Sequence, residues 1–187
     1  MQKIFDRVKG ILLKPNETWD EIKVEQTNEP EIFREFMVYV AAVPAIAGFL
    51  GSLFSGDNFF TSLFWAILFY IFSIVGVWAS ARVLVFLAPN FKCEQDKIQF
   101  IKLTSASFTP ILVACVFFLI PPIYGLSVFG IYGFYIFWIG FPRLVDCPEE
   151  DKFNFAVIGV IVMAIVLLSI FTLSALISNT SVPYLSI

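Results

Sequence analysis

The sequence predicts an all-α membrane protein: a five-transmembrane-helix bundle with a short amino-terminal interfacial amphipathic helix. Three observations lead there. Five apolar runs are each long enough to cross about 30 Å of hydrocarbon as a helix. Hydrophobic residues make up 59% of the 187, against roughly 45–50% in a soluble domain, while charged residues fall to 14%. All 12 Lys and Arg sit in three stretches that share one side of the membrane if the spans number five.

The runs occupy 36–54, 59–81, 103–120, 123–141 and 153–177, and their interiors hold no Lys, Arg, Asp or Glu. A charge at the bilayer centre costs about 2.5–3.5 kcal/mol on insertion scales, so five clean runs read as spans. Pro121-Pro122 separates the third run from the fourth. One kinked helix over 103–141 would reach about 58 Å at 1.5 Å per residue. A tight hairpin at the membrane surface fits better, because proline breaks the hydrogen-bond ladder.

Charge sets the direction. Lys3, Arg7, Lys9, Lys14, Lys23 and Arg34 precede the first span. Arg82, Lys92, Lys97 and Lys102 lie between the second and third, and Arg143 and Lys152 between the fourth and fifth. The turn at 55–58, the Pro-Pro turn and the tail 178–187 carry none. The positive-inside rule makes the cationic side cytoplasmic. A multi-pass protein of the cell membrane is expected, with its amino terminus in the cytoplasm and its carboxyl terminus outside. No cleavable signal peptide is visible, so insertion is expected to use the first span as an uncleaved anchor.

The chain divides into a cytoplasmic or interfacial segment, 1–35, and a five-span domain, 36–187. In the segment, Ile4, Phe5, Val8, Ile11 and Leu12 recur at helical spacing among Asp6, Arg7 and Lys9, the pattern of a helix lying in the interface. Pro15 ends it, and Thr18-Trp19-Asp20-Glu21 matches a capping box for a second helix. Trp19 suits the headgroup level as an interfacial anchor. Two roles fit the segment: an anchor that sets orientation, or a surface for a cytoplasmic partner. Its acidic excess disfavours a polybasic lipid clamp. Arg82 and Arg143 are the other interfacial anchors; Arg82 either snorkels or pairs with an acid in another connection. Before the fifth span, Pro148 and the acids after it read as a helix start. Asp146, Glu149, Glu150 and Asp151 also form a candidate surface for a partner or a divalent cation, although no calcium-loop spacing is present.

Small residues mark expected packing seams: Ser73, Gly76 and Ser80; Ala47 and Gly51; Gly133 and Gly140. Pro44 and Pro110 each free a carbonyl inside a span. With Thr104, Ser105, Ser107 and Thr109 they outline a candidate intramembrane polar site for transport or lipid movement, the alternative to packing kinks. No acid lies at mid-membrane depth, which argues against a proton-coupled pump.

Catalysis finds no footing. The absence of His removes Ser-His-Asp and Cys-His chemistry and His-ligated metals, and the hydroxyls lack a neighbouring base. No enzyme activity, cofactor or metal is expected, and a net charge of −3 carries no nucleic-acid footprint. The partners expected are the lipid bilayer, a cytoplasmic or membrane protein, and a second copy of the chain. Cys93, Cys115 and Cys147 give no metal motif. Cys115 reads as core; Cys93 and Cys147 read as reduced thiols on the cytoplasmic side.

The segment Leu12-Leu13-Lys14-Pro15-Asn16-Glu17-Thr18-Trp19-Asp20-Glu21-Ile22 precedes five spans. The third carries Thr104-Ser105-Ala106-Ser107-Phe108-Thr109-Pro110. The run from Tyr132 to Pro142 is followed by Cys147-Pro148-Glu149-Glu150-Asp151-Lys152. Taken together these resemble the Yip family of Ypt/Rab-interacting membrane proteins in its short prokaryotic form. The resemblance implies a five-span bundle with a cytoplasmic amino terminus. It also implies kinship with eukaryotic proteins of endoplasmic reticulum and Golgi membranes that bind small GTPases. The function expected is non-enzymatic organisation of membrane or partner proteins from the cytoplasmic face.

Overall fold

A computed structural model describes residues 2–180, apart from the side chains of Pro121 and residues 177–180. The described residues hold eight α-helices and no strand: α1 (Gln2–Leu13), α2 (Pro15–Val24), α3 (Glu29–Ile32), α4 (Val38–Phe54), α5 (Phe59–Leu87), α6 (Lys97–Ala114), α7 (Tyr132–Leu144) and α8 (Glu149–Thr180). A π-helical stretch, Phe33–Met37, fuses α3 to α4. Five segments are long and apolar enough to span a membrane: Glu29–Phe54, Phe59–Phe91, Lys97–Leu119, Pro122–Leu144 and Glu149–Leu176. The carboxyl-terminal residues used in the orientation argument lie outside the described residues from 181 onward.

These helices outrun the apolar runs mainly at one end. Polar side chains there find partners, so the backbone ladder continues past the hydrocarbon. At the opposite end the α4–α5 turn closes tightly. Gly56 adopts a positive φ of 86°, which a side chain would strain, and the Asn58 carboxamide caps the amides of Phe60 and Thr61.

The third span differs most from a uniform helix. α6 gives way to a 3-10 stretch, Cys115–Leu119. Ile120 is extended, and Pro121–Ile131 winds again as 3-10 before α7. The prolines thus reverse the chain as a hairpin. A 3-10 coil rises about 2.0 Å per residue against 1.5 Å, so these spans cover their depth with fewer residues.

α6 is the hub. In its span 83% of the most apolar window is buried, against 50% or less in the others. Every residue from Phe100 to Leu112 is buried, including all four hydroxyls. The small residues do form seams. Gly76 faces Ile170 and Val166 of α8, Gly48 faces the Trp65 ring, Gly51 faces the Phe118 carbonyl, and Gly133 faces Ser107 and Ile111. At the polar end Phe155 joins α8 to its neighbours through rings 4.9 Å from Phe91, 5.4 Å from Phe141 and 6.0 Å from Phe100.

α1 and α2 form a helical hairpin docked on the bundle, with Ile11, Trp19 and Ile22 buried. The second helix starts earlier than Thr18. Pro15 takes its first turn, and the Thr18 hydroxyl donates to the Lys14 carbonyl inside the helix. The capping box falls instead at Asn28 and Glu31, opening α3. Proline at the first turn wins because its fixed φ and missing N–H suit that position.

Candidate functional site

The polar connections gather into one cap over the end of the bundle that holds α3, the end of α5 and the starts of α6 and α8. The hairpin is its largest piece. Trp19, 2% exposed, lies against Gly140 of α7. It is therefore a buried docking residue and not the headgroup-level anchor expected. Nearer the hairpin tip, the Tyr132 hydroxyl donates to the Leu12 carbonyl at 3.3 Å. Asp20 and the Arg143 guanidinium are 3.7 Å apart, and Arg143 also donates to the Ile139 carbonyl at 2.9 Å. α2 therefore runs along α7.

Lys102 ties this hairpin to the hub. Its ammonium group is buried, and it donates to the carbonyls of Glu25 at 2.7 Å and Lys23 at 3.4 Å. These carbonyls lie at the carboxyl end of α2, where unpaired C=O groups carry partial negative charge. Burying a cation is costly unless such partners are present. By charge alone Lys102 marks only the side of the membrane. Its position between Ile101 and Leu103, one residue before the apolar run, was the available signal.

Two further pairs close the cap. Arg7 donates twice to Glu25, at 3.0 and 2.9 Å, and lies 4.9 Å over the Phe36 ring. Arg82 donates to both Glu29 oxygens at 2.8 and 2.7 Å. The Trp78 indole N–H donates to the same carboxylate at 2.7 Å, and the Arg82 guanidinium lies 5.1 Å over the Trp78 ring. Arg82 thus pairs with an acid of another segment; simple snorkelling does not describe it. Glu29 is fixed by α3, so this three-part contact locks the entry of the first span against α5.

The connections flanking α6 and α8 are also joined. Cys93 and Cys147 form a disulfide, which overturns the reading of both as reduced thiols. They are 54 residues apart, and no local pattern could pair them. Cys115 is free and buried. The Glu94 amide donates to the Asp146 carbonyl at 3.0 Å. The acidic run does not converge. Asp151 faces Lys92 at 3.9 Å and Glu149 faces Lys152 at 2.6 Å. No group of three or more metal-competent side chains occurs among the described residues.

Polar clefts open on the cap. One of about 550 Å³ lies between α1, α2 and α3, and its walls include Asp6, Arg7, Glu21, Glu25, Glu31 and Glu35. Another, of about 370 Å³, takes Lys23, Glu94, Asp96, Gln99, Arg143, Asp146 and Lys152. Neither includes any residue of the candidate intramembrane site. There, Thr104 donates to the Phe100 carbonyl at 3.0 Å and Thr109 to the Ser105 carbonyl at 2.8 Å. Pro44 and Pro110 are buried inside α4 and α6. The Ser105 and Ser107 hydroxyls are buried without a partner.

Comparison with known proteins places these features in a family context. The model for the Yip1 domain matches residues 9–173. The chain is 24% identical over 181 residues to "Inner membrane protein YohC" of Escherichia coli strain K12, covering 87% of this chain and 93% of that one. The protein of the same name from Escherichia coli O6:H1 matches equally. No solved structure matches.

Proposed function

Since the chain belongs to the Yip1 domain family, and its five apolar helices and inner-membrane relative support a multi-pass membrane protein, we propose that it organises membrane or partner proteins, without catalysis, through a cytoplasmic polar cap. The observation that carries this reading is that the clefts of about 550 and 370 Å³ open on the cap, which is built from the three stretches that hold all 12 Lys and Arg. An odd number of spans then leaves the cap in the cytoplasm and the carboxyl terminus outside. In this reading Asp146, Glu149, Glu150 and Asp151 serve as partner surface, not as a cation site, since Asp146 lies in the connection and the other three along the first turn of α8.

Glu21 and Glu35 line the larger cleft from two different segments. Reversing both, Glu21→Lys with Glu35→Lys, changes the field of the cleft without touching the buried core. Photo-cross-linking from position 31 in whole cells is expected to give a discrete adduct whose yield falls about tenfold in the double variant, equivalent to roughly 1.4 kcal/mol of affinity. Unchanged adducts in the variant, or none in the parent, refute the reading.

A second reading, movement of a solute or lipid past Thr104–Pro110, draws on the two unpartnered hydroxyls of Ser105 and Ser107. It requires flux in reconstituted vesicles that Ser107→Leu abolishes. Vesicles that pass amino acids, ions and labelled lipids no faster than protein-free ones dispose of it.

A further inference from the structure

The connection after α5 is held in three ways to the connection before α8 and the first turn of that helix. Cys93 and Cys147 are bonded covalently. The Glu94 amide donates to the Asp146 carbonyl. The Lys92 ammonium faces Asp151 at 3.9 Å. The last is weak, because Lys92 is 77% exposed and exposed pairs contribute about 0–1 kcal/mol. One backbone hydrogen bond adds about 1 kcal/mol net. The disulfide therefore dominates the joint.

The bond is mostly covered, with Cys93 6% and Cys147 7% exposed, and what remains of it borders on solvent. An open cleft of about 470 Å³ is walled by Lys92, Cys93, Glu94, Asp146, Cys147 and Pro148. The reduced form is provided for as well. The Cys93 sulfur lies 3.3 Å from the Phe91 carbonyl oxygen. A disulfide sulfur has no proton to donate, but a thiol at this position finds its acceptor already in place.

The compartment makes this pair unusual. It lies on the cap that bears the cations, so under the orientation proposed above, on which this inference rests, it faces the cytoplasm. Thiols there are kept reduced, and the disulfides found are transient or redox-sensing. We propose that Cys93 and Cys147 form a thiol–disulfide exchange site, a reversible latch that ties or frees the two connections. The reductant is a dithiol. Its thiolate attacks one sulfur of the pair, breaking the Cys93–Cys147 bond and forming a mixed disulfide. Its second thiol displaces that sulfur, so the reductant leaves as a disulfide and two protons end on Cys93 and Cys147. A low-molecular-weight disulfide reverses the exchange and leaves as two thiols. Glu94 and Asp146 also line the 370 Å³ cleft, so opening the latch loosens that cleft's wall.

The test uses the full chain with Cys115→Ala in membranes of known sidedness. The probes are a membrane-impermeant phosphine as reductant, oxidised glutathione as oxidant, and an impermeant maleimide polymer to count thiols. In inside-out vesicles, the phosphine is expected to yield two modifiable thiols and oxidised glutathione to remove both; in intact spheroplasts, neither reagent changes the count. Hydrogen exchange at the Glu94 amide is expected to quicken about tenfold on reduction. Cys93→Ser and Cys147→Ser should each show the faster rate without reductant. Thiols that appear only after denaturation mean a closed structural bond and overturn the proposal, as does an exchange rate indifferent to reduction. Thiols that form only in spheroplasts overturn it too, and identify the cytoplasmic orientation as the step that failed.

Discussion

Replacing Trp19 by alanine is expected to release the α1–α2 hairpin from the bundle. The indole is almost wholly buried and its ring lies against Gly140, where α2 and α7 meet. Truncating a buried tryptophan to alanine costs about 3–5 kcal/mol, the lost transfer energy plus the cavity left behind. The hairpin's other attachments include the Lys102 and Gln99 contacts, the Tyr132 hydroxyl, the Asp20–Arg143 pair, Arg7 over the Phe36 ring and the buried Ile11 and Ile22. Most of the cost therefore falls on docking and little on the spans. Tryptic cleavage at Lys23 in detergent should accelerate by about two to three orders of magnitude, tracking the open population. The spans should keep their thermal transition. Gly140 supplies the internal check. A side chain there collides with the indole, so Gly140→Val alone should also loosen the hairpin. In the Trp19→Ala background the same substitution fills the void and should slow cleavage again. Cleavage rates that simply add in the double variant would show that the two positions do not share a contact.

Gly51→Val is expected to destabilise the far end of the bundle by about 3 kcal/mol, the upper part of the range for overpacking. A side-chain carbon at position 51 runs into the backbone carbonyl of Phe118, with the Tyr124 hydroxyl 3.3 Å away. The obstacle is backbone, and it belongs to the 3-10 stretch Cys115–Leu119, so no rotamer change relieves it. α4 must separate from the third span. The thermal transition of the solubilised protein should drop, while the polar cap keeps its disulfide and its ion pairs. Gly125→Ala is the control. It lies in the neighbouring 3-10 segment with nothing within 4 Å of the added carbon, and should stay within about 0.5 kcal/mol of the parent. Equal losses in both variants would mean that the close approach at Gly51 is not what limits stability.

The two sites show how differently legible the molecule was. Gly51 and Gly76 were marked by spacing alone, because small residues every fourth position can only create a close-packed stripe on a helix. The Pro-Pro hairpin was legible for a similar reason, since helix length and bilayer thickness left no room for one continuous rod. Trp19 was misplaced because its residue type suits both a headgroup layer and a protein interior. Only the glycine on α7, 121 positions later, decides between them. The early start of α2 was missed because two caps competed, and the proline at 15 took precedence over the threonine at 18.

Run length, composition and the distribution of cations were sufficient to establish an all-helical membrane protein with five spans and all its Lys and Arg towards one end. Each of those properties depends on local periodicity or on counts, which the chain carries without folding. The polar cap is another matter. Arg82 with Glu29, Lys102 with the end of α2 and Cys93 with Cys147 are joined across separations of 53, 77 and 54 residues. Partner choice at such distances follows from how the hairpin packs on α6 and α7. Local pattern records that a cation or a thiol is present, while packing determines which group it meets.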